Sequence, residues 1–165
     1  MQLRRLLRHL VATRWATRRR FTPEVLQAIE TVITETEGRH AGEIRFAVET
    51  ALDLPALWSG ISARQRAIEV FARLGVWDTQ ANNGVLVYVL LADRDIEIVA
   101  DRGIAGRVSE AEWAAVCREA EDSFAAGRYR EGAEASVRGV ARLLGRHFPA
   151  EGGDRNEQPD QAVLL

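Results

Sequence analysis

Lysine is missing from this chain: all 22 basic residues are arginine, a bias expected of a GC-rich genome and given no chemistry here. Cysteine is almost missing. The single Cys117 excludes an internal disulfide and a thiolate zinc cluster. The three histidines, His9, His40 and His147, have no metal-ligand spacing, so a histidine zinc site is excluded as well. No apolar run approaches the ~20 residues of a membrane-spanning helix. Arginine breaks the N-terminus every three or four residues, which leaves no secretory h-region. These absences predict a cytoplasmic chain that does not cross a membrane and uses neither zinc nor a nucleotide cofactor.

What is present is ordinary in bulk and uneven in detail. A length of 165 residues suits one domain, and 47% hydrophobic with 28% charged residues is normal for a globular protein. The net charge of −2 hides a split: no acid precedes Glu24, while Arg4, Arg5, Arg8, Arg14, Arg18, Arg19 and Arg20 fall in the first twenty residues. Leu3, Leu6, Leu7, Leu10 and Val11 recur at helical spacing, so residues 1–20 are predicted to form a basic amphipathic helix. Thr22-Pro23 caps and opens a second helix, which Gly38 stops.

Seven consecutive apolar residues, Val85 to Leu91, are too few for an ordinary helix and rich in β-branched types. They predict a strand covered on both faces, at the centre of a sheet. Glu43 to Glu49 alternates and supplies the first strand. Residues 51–60 read as a loop around Pro55. Ser62 with Gln65 is a capping box opening a helix that ends at Gly75. Asp93-Arg94 is a tight turn into an outer strand, Ile96 to Ala100. A second capping box, Ser109 with Glu112, begins two closing helices. Cys117, at core spacing beside Trp113, reads as packing, and the four tryptophans lie among apolar neighbours and need no ligand. The fold class is therefore α/β: a small mixed sheet of about three to four strands flanked by helices. The domain spans 21–149, and the polar tail of 150–165 is expected to be disordered. The first two strands, joined through a helix, should be parallel, and the second and third antiparallel.

That topology sorts the polar residues onto two rims. The starts of the first two strands and the end of the third gather Glu43, Asp78, Asn83 and Asp101, with Glu110 beyond; carboxylates and amide oxygens are hard ligands suited to Ca²⁺ or Mg²⁺. The opposite rim holds Asp53, Asp93 and Asp95, where ligands of parallel α/β sheets tend to sit. The first rim carries more donors and is favoured. Simple turns would also account for Asn83-Gly84 and for Asp93-Arg94-Asp95. The basic head suits three roles: docking on the domain or a partner, lying in an anionic membrane interface, or contacting nucleic acid. No aromatic interleaving supports the last.

From Phe21 to Phe148 the chain resembles the TPM domain family, the domain of the thylakoid-lumen acid phosphatase and of many bacterial membrane-associated proteins. The resemblance is carried by Gly42-Glu43-Ile44, the apolar helix from Ala67 to Trp77, Asn83-Gly84-Val85-Leu86, Asp93-Arg94, and Gly103-Ile104-Ala105-Gly106. At the last of these the family typically has a Gly-Tyr-Gly-Leu-Glu-Gly turn. Here Ala105 replaces an acid, Glu110 an aspartate, and Asp101 a glycine. The resemblance implies acid phosphatase activity or divalent-metal binding, with Arg102 and Arg107 available to an anion. Most relatives carry a signal peptide and a membrane anchor, and this chain shows neither. The expected function is a non-enzymatic interaction module at the cytoplasmic membrane face, meeting an anionic surface or a membrane protein. A metal-dependent phosphatase is the alternative.

Overall fold

The computed structural model describes residues 3–150 and 156–165. The head consists of α1 (Leu3–Val11) and α2 (Arg14–Arg20), followed by α3 (Pro23–Glu37). Next come β1 (Glu43–Glu49), α4 (Leu54–Ser59), α5 (Ala63–Arg73), β2 (Gly84–Leu90) and β3 (Asp95–Ala100). The short α6 (Arg102–Ala105), α7 (Glu110–Ala125), α8 (Tyr129–His147) and β4 (Val163–Leu164) complete the chain. The sheet order is β3-β2-β1-β4, with β1 and β2 parallel and β2 and β3 antiparallel, as their connections predict.

The helices α2 to α7 each start where the sequence supplies a side-chain acceptor for their free amides, while α8 starts after Arg128 without one. Thr22 and both capping boxes accept from the first turns of α3, α5 and α7. One face of the sheet, with Ile44, Phe46, Val85, Val87, Ile96 and Ile98, packs against α3, α7 and α8. The other face, with Ala47, Leu86, Tyr88 and Val99, packs against α4 and α5. β2 is thus buried along its whole length. It starts at Gly84 because a Cβ there would lie 1.9 Å from the Val76 carbonyl oxygen, so no larger residue fits.

Three expectations change. The head is two helices, because Thr13 leaves helical geometry and caps α2 by accepting from Ala16 N–H. The expected loop around Pro55 holds α4: Asp53 caps it and Gly60 closes it in a left-handed conformation. Of the tail expected to be disordered, residues 151–155 lie outside the described residues, while 156–165 pack on the sheet. They cross the start of β1, and their last residues form β4, parallel to β1. Leu165 N–H donates to Val48 O at 2.8 Å, Ala162 N–H to Glu30 at 3.2 Å, and Thr34 Oγ1 to Asp160 at 2.6 Å. That cover explains why all seven residues of β1 are buried.

Candidate functional site

At the rim where β1 and β2 start, the main chain holds the candidate residues side by side. Glu43 N–H donates to Asn83 O at 3.0 Å, Asp101 N–H to Gly84 O at 2.9 Å, and Gly103 N–H to Asn82 O at 3.1 Å. Asn82 takes a left-handed conformation (φ 52°), and Gly103 faces it because a Cβ there would sit 2.5 Å from the Asn82 carbonyl.

The side chains part company. Glu43 turns toward the end of α5. It accepts from Gln158 N–H at 3.2 Å, and the Gln158 amide reaches Gly75 O at 3.1 Å. Burial pushes the Glu43 carboxyl above the usual carboxylate range. Asn83 reaches the other way, its amide donating to Ala41 O beside the end of α8. Asp101 caps α6, with Oδ1 accepting from Arg102 N–H at 2.7 Å. Asn83 and Asp101 are 7% and 9% exposed, and Asn83 Oδ1 and Asp101 Oδ2 are buried without a hydrogen-bond partner in the protein. Two orphaned oxygens on one rim are costly, about 1–3 kcal/mol each, and suit a hard cation or water.

The remaining candidates of this rim lie outside that pair. The Asp78 carbonyl is within 3.5 Å of the Gln158 amide, so its main chain serves the tail. Glu110 opens α7 and lines a groove beside β3. Arg102 begins α6, and the Arg107 guanidinium lies over the Phe148 ring, 4.6 Å from its centroid. Among the described residues, no group of three or more His, Cys, Asp or Glu side chains is placed to hold a metal ion.

The opposite rim is closed by the head. Asp93 receives Arg5 at 2.8 Å and Arg8 at 3.1 Å; against the burial that would raise its carboxyl, Arg5 and His9 hold it below the usual range. Buried His9 accepts from Leu52 N–H at Nδ1, which leaves Nε2 protonated; it lies 3.1 Å from Asp93, off the line of a good hydrogen bond. Thr17 and Thr50 share a hydrogen bond of 2.8 Å. Asp53 is spent as the α4 cap, and Asp95 sits at the start of β3, its carboxyl raised by burial and by Asp93. These three acids therefore do not form one ligand set.

Docking through Arg5, His9 and Thr17 turns the helix stripe outward. Leu3 (68% exposed), Leu7, Leu10, Val11 and, on α2, Trp15 face solvent, while Arg4, Arg14, Arg18 and Arg19 flank them. Ala12 and Arg14 share a pocket with Asp53, and from there α4 adds exposed Leu54 and Trp58. The expectation that the tryptophans lie in apolar surroundings fails for Trp15, Trp58 and Trp77, all more than half exposed. Local sequence gave no warning, because periodicity shows that a helix has an apolar side but not which side meets the domain. Cys117 is half-buried against the main core, and burial pushes its thiol up to about 12, consistent with packing.

Comparison with known proteins agrees with this architecture. Residues 17–143 match the family model of the TPM domain. The BA42 protein of the psychrophilic bacterium Bizionia argentinensis, solved by NMR, is 28% identical. It aligns over 87% of this chain and 94% of its own, with a TM-score of 0.77. The N-terminal domain of a protein from P. gingivalis, 16% identical, aligns over 77% of this chain and 78% of its own, with a TM-score of 0.61, and shares the fold. No protein of curated function matches. With the family model covering most of its length, the chain belongs to the TPM domain family.

Proposed function

We propose that this TPM domain is a non-enzymatic interaction module that seats its two N-terminal helices on an anionic membrane surface from the cytoplasmic side. The supporting observation is the inverted packing of the head: its polar residues His9 and Thr17 are buried, and Leu3, Leu7, Leu10 and Trp15 are exposed, while Leu6 packs on the domain. Monomeric proteins rarely leave such an apolar patch uncovered. An apolar face rimmed by arginine matches a helix lying among lipid headgroups, each arginine contributing about 1 kcal/mol near an anionic surface. No helix among the described residues is long and apolar enough to cross a bilayer.

Co-sedimentation with phosphatidylserine-containing vesicles tests the reading. The full chain should pellet with them, and Leu3→Ser/Leu7→Ser/Leu10→Ser and Arg14→Glu/Arg18→Glu should each stay in solution. Equal pelleting by both variants would overturn it. Retention of the wild type by a membrane protein, with no binding to lipid alone, would replace the lipid surface with a protein one.

A second reading, a divalent-ion site serving a phosphatase-like activity, rests on the orphaned Asn83 Oδ1 and Asp101 Oδ2. Their chemistry fits Ca²⁺ or Mg²⁺, which take oxygen ligands and complete their shells with water. Arg102, next in sequence to Asp101, is the nearest candidate to meet a phosphoryl group. Millimolar Ca²⁺ should then raise the melting temperature of the wild type and leave Asp101→Ala unchanged. Identical behaviour of the two proteins removes the ion.

A further inference from the structure

Among the described residues, the sheet order leaves β3 with an unpaired outer side. α5 stands against one face of the sheet and α7 against the other, so a groove of about 370 Å³ runs along β3 where another strand would lie. Side chains occupy the main-chain groups that line it. Arg64, reaching over from α5, donates to Ile98 O. On α7, the Ile98 N–H faces the Cys117 sulfur and the Ile96 N–H faces the Glu121 carboxylate. Four carboxylates, Asp95, Glu97, Glu110 and Glu121, line the groove against two guanidiniums, Arg64 and Arg118.

We propose that this groove docks an extended cationic segment of a partner protein, taken up as an additional strand against β3. The inference is independent of the membrane reading, since it uses neither the head nor its arginines. An incoming main chain can exchange with each side-chain cap, giving Ile96 and Ile98 regular strand partners. Its basic side chains would meet acids that are short of cations. Asp95, Glu97 and Glu121 are all raised above their usual range by burial, with a neighbouring carboxylate adding to it, although Arg64, 3.5 Å from Glu97, Arg118 and, at Asp95, Arg5 partly oppose this. Apolar residues alternating with the basic ones would find Trp113 on the wall. A second copy of the chain is the poorer occupant, because two β3 edges would bring Asp95 and Glu97 of one copy against those of the other.

The probe is an end-capped seven-residue peptide of alternating arginine and valine, carrying a fluorophore and titrated against the full chain. We expect saturable binding and slower amide exchange at Ile96 and Ile98. A proline at the peptide's centre should weaken binding about tenfold by removing a strand hydrogen bond, and Glu97→Gln and Glu121→Gln should each weaken it about threefold to tenfold. Neither substitution should change vesicle co-sedimentation. No binding, indifference to the proline, indifference to both substitutions, or exchange protection confined to the head would each overturn the proposal. So would self-association of the protein through this edge in sedimentation experiments.

Discussion

The N-terminal helices meet the rest of the protein through side chains, most of them gathered on one carboxylate, Asp93. The C-terminal segment is joined largely through its main chain: Leu165 and Ala162 N–H groups donate, the Pro159 carbonyl accepts from Arg45, and Val163–Leu164 pair with β1. The difference has consequences for strength and for pH. A contact resting on one ionised acid fails when that acid is protonated. A strand contact among several acids weakens as they ionise.

Removing residues 156–165 should have the largest effect. Arg45 and Glu43, both buried, lose their partners on the tail, and the outer side of β1 opens. A loss of about 3 kcal/mol, or a melting-temperature drop of roughly 6–12 °C, is expected by calorimetry, together with concentration-dependent association through the uncovered edge. An unchanged melting temperature would mean the segment adds nothing to the sheet.

Asp93→Ala should come next, costing about 1–3 kcal/mol because part-buried Arg5 loses the carboxylate that its guanidinium grips. Protease cleavage after Arg14, Arg18 or Arg19 should quicken while the strand amides of β2 keep their protection. Equal loosening of both regions would show that the head is integral to the core.

The pH dependences should run in opposite senses. Arg5 beside Asp93 lowers its folded pKa below 3.8, so the head's stabilisation is present above that value and is lost as pH falls through the lower one. Glu37 is raised to about 8 by burial and by Asp160, its neighbour on the tail. The docked tail is therefore favoured below pH 4.5 and weakens progressively as pH rises to about 8. Glu37→Gln should flatten that alkaline limb and leave the acid limb in place. Amide exchange of Val163 and Leu164 between pH 5 and 9, corrected for intrinsic rates, reads the effect.

The smallest change belongs to the exposed leucines. Leu3→Ser or Leu7→Ser should alter stability by less than about 0.5 kcal/mol, since neither side chain is covered. A larger loss by denaturant titration would place them in the core and remove the basis of the membrane reading.

How much of this was legible depends on where the signal resides. The first of the three long strands followed from the alternation of Glu43 to Glu49, and the other two from the Val85–Leu91 run and the Asp93-Arg94 turn, because burial and a tight reversal each leave a local composition. The tail left none. Gln158, Pro159, Asp160 and Gln161 look disordered by composition, yet main-chain groups need no sequence pattern to pair with an edge strand. The α4 signals were present in Asp53, Pro55 and Gly60, but six residues are too short to show a period. At the candidate rim, adjacency could be read from topology. Side-chain direction could not, and Glu43 turned toward a tail whose docking was unforeseen.

The cover of β1 by β4 also bears on the order in which the fold is assembled. β1, β2 and β3 all precede Val163 and Leu164 in the chain. While the β4 segment is undocked, the outer side of β1 offers a bare row of amides and carbonyls to any neighbour. Docking of β4 thus closes the sheet, and refolding at high protein concentration would favour dimers in which one copy's β4 segment pairs with the β1 of another.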